Sequence, residues 1–116
     1  MQGVLATSIF ESDAKQAGLT DEELQHIASV IAADPLAGDL IPGTGGARKM
    51  RFARSGAGKS GGYRTIHYFG GDDVPIFLLA VYGKGDKANL SKAERNELAV
   101  LLPMIAKDYR ASMKRR

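Results

Sequence analysis

The chain has 116 residues, 44% of them hydrophobic and 25% charged, which is ordinary for a soluble globular protein and predicts one domain over residues 1–116. It contains no cysteine, which excludes a disulfide framework, a cysteine-based zinc site and a thiol nucleophile. The longest apolar run, residues 74–82, is too short to cross a bilayer, and no signal segment opens the sequence, so we expect a cytoplasmic protein with no membrane partner.

The net charge of +3 conceals a division along the chain. Residues 1–47 carry seven acidic side chains and one lysine, whereas residues 48–87 carry eight basic and three acidic side chains. Residues 88–116 add seven basic and three acidic ones. This asymmetry indicates a domain with one side that faces a polyanion, the alternative being a well-solvated basic surface without such a partner.

The first third of the chain predicts one strand and two helices. Residues 4–7 favour a short edge or terminal strand, and residues 10–17 a short helix that ends at Gly18. Thr20 and Glu23 form a capping box ahead of apolar residues at helical spacing, which predicts an amphipathic helix over residues 21–33. Pro35 ends that helix, and a loop rich in glycine and proline follows.

Three strands and a last helix are predicted in the remainder. Residues 48–54 alternate in character, residues 63–69 are aromatic and β-branched, and residues 76–82 are nearly all apolar, as in a central strand covered on both faces. The glycine-rich connections favour an antiparallel meander. A second capping box, Ser91 with Glu94, starts a C-terminal helix in which Pro103 predicts a kink or a break, and the tail at residues 114–116 is expected to fray.

Residues 53–60, ARSGAGKS, partly match a phosphate-binding loop. Such a loop requires a helix directly after it, because the amides at a helix N-terminus hold the phosphate. A strand is predicted there instead. We therefore interpret the segment as a glycine-rich hairpin loop, in which Lys59 is available to a nucleic-acid backbone.

The strongest chemical pattern is a cluster of cations on the predicted sheet. Alternation places Lys49 and Arg51 on one strand face, and the neighbouring strand brings Arg64 beside them. Adjacent like charges destabilise a sheet unless an anion neutralises them, so the cluster predicts a phosphate-sized partner; the alternative is a solvated face with acids supplied by the first helix. We identify no carboxylate on this face, which argues against a histidine–carboxylate ribonuclease pair.

Further candidates follow the last strand. Tyr82 is placed to stack on a base, and Lys84 and Lys87 to meet phosphates, although the segment is also typical of a charged turn that caps a strand. Of the two histidines, His26 is predicted to lie at the surface. His67 is interpreted as a structural residue on the strand face opposite Arg64.

The segments GTGGARKMRFA, GKSGGYRTIHYF and IFLLAVYGKGDKANLSKAE, together with the opening helices, resemble the RelE superfamily of type II toxins, and most closely its HigB-like branch. The resemblance covers nearly the whole chain. It implies an α+β RelE-like fold: a mainly antiparallel sheet of three to four strands, with N-terminal helices on one face, and a C-terminal helix. It also implies a ribosome-dependent mRNA endonuclease that a cognate antitoxin, expected to be of the helix-turn-helix type, inhibits.

The resemblance also assigns roles to residues. Lys49 and Arg51 match the basic strand pair of the family, Arg64 the arginine after the Gly-Gly-Tyr turn, and Tyr82 with Lys84 the segment closing the last strand. In this family the ribose 2′-hydroxyl attacks the adjacent phosphate, so neither a metal nor a cofactor is expected. Arg51 and Arg64 suit charge stabilisation, and Lys49 or Lys84 proton exchange. Residues expected to bind RNA around this centre are Arg48, Arg54, Lys59 and Lys87.

Two other functions remain open at this point. One is a non-catalytic toxin of the same fold, such as a gyrase inhibitor of the ParE type. The other is a nucleic-acid-binding regulatory module without activity. A homo-oligomer is not predicted.

Overall fold

Five strands and three helices make up the computed structural model, which describes residues 3–53, 62–83 and 90–114. In chain order they are β1 (Val4–Ala6), α1 (Ser8–Ala17), α2 (Asp21–Ala33), β2 (Asp39–Leu40), β3 (Ala47–Phe52), β4 (Tyr63–Tyr68), β5 (Ile76–Gly83) and α3 (Lys92–Lys114). None of the helices in these ranges is both long and apolar enough to cross a membrane.

The strands form one sheet in the order β1-β5-β4-β3-β2. The predicted antiparallel meander of β3, β4 and β5 is present, and it is flanked by β1, which runs parallel to β5, and by β2, which is antiparallel to β3. The α+β class and the mainly antiparallel sheet are thus confirmed. The expected count of three to four strands is wrong by one, because β2 has only two residues and carries no hydrophobic pattern.

The second helix has the predicted bounds, whereas the first ends as predicted and begins at Ser8, two residues earlier than expected. The Thr7 side chain accepts a hydrogen bond from the Phe10 amide at the start of α1, and Gly18 ends that helix with a φ of 72°. Thr20 and Glu23 form the predicted capping box of α2, in which each side chain accepts a hydrogen bond from the other residue's amide.

These two helices cover one face of the sheet. Their buried side chains pack on apolar residues of β3, β4 and β5, and both elements contribute to a single core cluster. Its buried members from the helices and the sheet are Phe10, Ala14, Ile27, Ile31, Phe52, Tyr63, Ile76, Leu78 and Val81. We refer to this side as the α1/α2 face.

The C-terminal helix packs on the opposite face, called the α3 face below. Leu102 is fully buried there against Ile66, Phe77 and other apolar side chains of the sheet. The sequence predicts a kink or a break at Pro103; the helix continues through this residue, so there is no break. Leu102 and Ala106 are buried on either side of the proline, and this packing keeps the helix together across the backbone hydrogen bond that proline cannot donate. The predicted Ser91–Glu94 capping box is present.

Candidate nucleic-acid interface

Three predicted functional residues form one row across the sheet on its α3 face. Arg51 of β3 is the direct cross-strand partner of Arg64 of β4, and Arg64 is in turn the partner of Tyr82 of β5. Directly paired residues project from the same face, with their Cβ atoms about 5 Å apart. We call these three residues the arginine row.

Lys49 lies in the next row on the same face. Its partner on β4 is Ile66, which is buried beneath α3, so this second row marks the edge of the part of the sheet that the helix covers. Lys49 is half-buried and Arg51 exposed. The cluster of Lys49, Arg51 and Arg64 that strand alternation predicts is therefore present, and Tyr82 extends it.

The row of Lys49 also contains a carboxylate that sequence reasoning missed. Asp39 of β2 is the direct partner of Lys49, so the two side chains emerge side by side from the α3 face. The expectation that this face has no carboxylate is thus wrong. The only signal in the sequence was the position of Asp39 in a loop, and nothing there indicates pairing with β3.

Arg48 does not belong to this cluster, contrary to its predicted place among the RNA-binding residues. It pairs with His67 on the α1/α2 face, and its guanidinium donates hydrogen bonds to the carbonyl oxygens of Leu36, at 2.9 Å, and Gly38, at 3.3 Å. Strand alternation already separates Arg48 from Lys49. Its observed role is to hold the loop that follows α2.

The structural role predicted for His67 agrees with its surroundings. The ring is fully buried, its Nε2 lies 3.0 Å from the carbonyl oxygen of Pro35, and its Nδ1 has no hydrogen-bond partner among the described residues. Since a carbonyl only accepts, Nε2 carries the hydrogen. Burial lowers the pKa of His67 below its usual 6.5, the positive charge of Arg48 acts in the same direction, and the bond to Pro35 opposes both. His26 is exposed, as predicted.

The buried His67 makes stability sensitive to acid. Above about pH 6.5 the ring is neutral in both the folded and the unfolded chain, and it contributes no pH dependence. Below that pH the unfolded chain binds a proton that the folded chain resists, because the folded pKa is lowered, so the free energy of unfolding falls. Urea unfolding at a series of pH values gives the slope of the unfolding free energy against pH. Between pH 6.5 and 5 we expect this slope to be smaller in His67→Gln than in the unaltered protein, by at most about 1.4 kcal/mol per pH unit.

The matched control for that experiment is His26→Gln, which removes the exposed histidine. It should leave the slope as in the unaltered protein. Equal slopes in all three proteins would show that His67 titrates no differently in the folded and unfolded chains.

Several predicted residues fall outside the described ranges. Lys84 and Lys87 lie in residues 84–89, and Arg54 and Lys59 in residues 54–61. The partial phosphate-loop motif occupies the same connection between β3 and β4, and it is followed by the strand β4 rather than by a helix. The next described element is thus not the helix that such a motif requires, and the loop itself, predicted as a hairpin connection, lies outside the described residues.

The described part of this surface has a definite chemical capacity. Two guanidinium groups side by side present planar sets of donors that match the oxygens of a phosphate, and an aromatic ring at the end of the row offers a stacking surface for a base. Lysine and aspartate in the adjoining row supply one proton donor and one acceptor. Among the described residues no three His, Asp or Glu side chains gather into a possible metal site.

A comparison with protein-family models matches nearly the whole chain. The model described as the RelE toxin of the RelE / RelB toxin-antitoxin system covers residues 2–115. The match spans every helix and strand described above, including the arginine row and both helices of the α1/α2 face. The chain therefore belongs to the RelE toxin family, whose members are toxins of toxin-antitoxin systems, are generally endoribonucleases and pair with an antitoxin.

Proposed function

We propose that this RelE-family toxin is an endoribonuclease that cleaves translated mRNA in the decoding site of the ribosome, without a metal ion. The observation that carries the proposal is the arginine row, in which Arg51, Arg64 and Tyr82 are direct neighbours across three strands. The resemblance to the HigB-like branch supports this activity, as does the placement of Lys49 on the same face. A single domain acting in the cytoplasm, and an antitoxin of the helix-turn-helix type, belong to the same proposal.

The arginine row suits the charge that develops during cleavage by the neighbouring hydroxyl. The ribose 2′-oxygen attacks phosphorus, the bond to the 5′-oxygen breaks, and the products are a 2′,3′-cyclic phosphate and a 5′-hydroxyl. Negative charge grows on the phosphate oxygens during the attack. Guanidinium groups remain protonated and bind two oxygens at once, so Arg51 and Arg64 stabilise that charge.

The direct pairing of Arg51 with Arg64 also supports the proposal that this face binds an anion. Two like charges placed directly opposite each other destabilise an antiparallel pair of strands by a few tenths of a kcal/mol up to about 1 kcal/mol. An RNA phosphate between the two guanidinium groups attracts both of them, so their repulsion is replaced by a net attraction. The sheet is therefore suited to a ligand that carries its own negative charge, as the sugar–phosphate backbone does.

Primer extension on cellular mRNA tests the proposal directly. After brief expression of the toxin without its antitoxin, we expect new 5′ ends at fixed positions within codons of translated messages. The same cuts should form on purified ribosomes carrying mRNA, and free mRNA should remain whole. Intact messages together with induction of the DNA-damage response would instead identify a gyrase inhibitor, and harmless expression at a high level would identify a binding module.

A further inference from the structure

The chain that carries Asp39 is held in place by polar side chains from the sheet. The ring of His67 binds the carbonyl oxygen of Pro35, and the guanidinium of Arg48 binds those of Leu36 and Gly38. These are the hydrogen bonds that the structure shows for the His67 ring and the Arg48 guanidinium. Two side chains of the α1/α2 face are thus used to fix a segment that ends on the opposite face.

The backbone on either side of β2 is constrained as well. Gly38 has a φ of +87°, and a Cβ atom on it would lie 2.4 Å from the carbonyl oxygen of Lys49. After β2, the buried Thr44 hydroxyl donates to the carbonyl oxygen of Ile41 at 2.7 Å and accepts from the Ala47 amide at 3.0 Å. The backbone segments before and after this two-residue strand are therefore both held in position.

This restraint does not serve the hydrophobic core at β2 itself. Asp39 is exposed, and Leu40 keeps 55% of its surface accessible. Burial of β2 side chains therefore contributes little to folding. What the restraint does achieve is to hold a carboxylate beside Lys49 and, on the diagonal, about 7–8 Å from Arg51 between Cβ atoms.

We propose that Asp39 is a catalytic residue that accepts the proton of the attacking 2′-hydroxyl, an inference that rests on the proposed endoribonuclease function. The phosphate binds to Arg51 and Arg64. The ribose that is joined to this phosphate through its 3′-oxygen then lies toward the row of Lys49 and Asp39. The Asp39 carboxylate takes the proton as the 2′-oxygen bonds to phosphorus. As the bond to the 5′-oxygen breaks on the far side of the phosphate, that oxygen takes a proton from water, and Asp39 afterwards gives its proton to water.

Other charged and titratable groups share this face with Asp39. They are Lys49 and Arg51 of β3, Arg64 of β4 and the phenols of Tyr68, Tyr82 and Tyr109. From α3, Arg110 adds a guanidinium that is paired with the Asp73 carboxylate and donates to the carbonyl oxygen of Gly70. The Asp39 carboxylate thus lies on a face where the side chains of Lys49, Arg51 and Arg64 carry positive charge.

Single-turnover cleavage of mRNA on purified ribosomes tests the role of Asp39 with the full chain. Asp39→Asn keeps the shape of the side chain and removes the acceptor, so we expect the rate constant to fall by about 10²- to 10⁴-fold. The logarithm of the rate constant for the unaltered toxin should rise with pH at the acid end and then level off. In Asp39→Asn that rise should be lost.

Asp108→Asn is the matched control, because it removes one exposed carboxylate from α3 and changes the net charge equally. It should cleave at the rate of the unaltered toxin. A rate within threefold of the unaltered toxin in Asp39→Asn, or a lower rate with the acid rise intact, would overturn the assignment. If the unaltered toxin cuts no ribosome-bound mRNA, the proposed function fails first, and the role of Asp39 with it.

Discussion

Changing Arg51 and Arg64 together to alanine is expected to abolish growth arrest and to lower the rate of mRNA cleavage by at least about 10²- to 10³-fold. Removal of a single preorganised donor from a developing oxyanion has effects of that size in other enzymes. Both arginines lie in one row and face the same position, so the double variant leaves that position with neither guanidinium. Single-turnover cleavage on ribosomes and colony formation under induced expression measure the two effects.

The Arg51→Ala variant should lose no stability. The substitution relieves the repulsion across the β3–β4 pair, so the free energy of unfolding in urea is expected to stay constant or to rise by about 0.2–1 kcal/mol. Lys107→Ala, an exposed site on α3, serves as the control for loss of one positive charge and should retain activity. Full cleavage activity in the double variant, in which both Arg51 and Arg64 are changed to alanine, would remove the basis of the proposed function.

The second large effect is expected at Gly38, where alanine should destabilise the fold and displace Asp39. Both Gly38 and Gly43 have left-handed backbone, with φ values of +87° and +78°. Alanine costs about 1–2 kcal/mol in that conformation. At Gly43 nothing lies within 4 Å of the added Cβ, whereas at Gly38 the Cβ meets the Lys49 carbonyl oxygen at 2.4 Å.

The pair of variants therefore separates backbone strain from collision. We expect Gly43→Ala to lose about 1–2 kcal/mol of unfolding free energy, and Gly38→Ala to lose a further 1–3 kcal/mol because β2 must move away from β3. Urea unfolding gives the two losses of unfolding free energy. The chemical shifts of the β3 amides in NMR spectra report the displacement of β2 from β3. Equal losses in both variants would show that β2 adjusts to the extra atom without cost.

Much of the fold follows from local patterns. Capping boxes begin α2 and α3, Gly18 ends α1, and alternation in β3 assigns Lys49 and Arg51 to one face, as observed. These features depend on residues close together in the chain, where spacing determines geometry. The direct pairing of Arg51 with Arg64 also follows once a hairpin between β3 and β4 is assumed.

The features that sequence reasoning missed depend on contacts distant in the chain. A strand of two residues leaves no periodic signal, so the pairing of Asp39 with Lys49 could not be recognised. Strand alternation already places Arg48 on the face opposite Lys49, but the prediction that Arg48 binds RNA considered only its positive charge. The continuity of α3 through Pro103 depends on burial against the sheet, which local propensity does not include.

The parallel pairing of β1 with β5 has a consequence for synthesis of the toxin. Val4 pairs with Ile76, so the N-terminal strand has no partner until more than seventy further residues have been translated. The arginine row likewise needs Tyr82, from the last strand of the sheet. Neither the β1–β5 pair nor the arginine row can therefore form in a nascent chain until β5 has been translated.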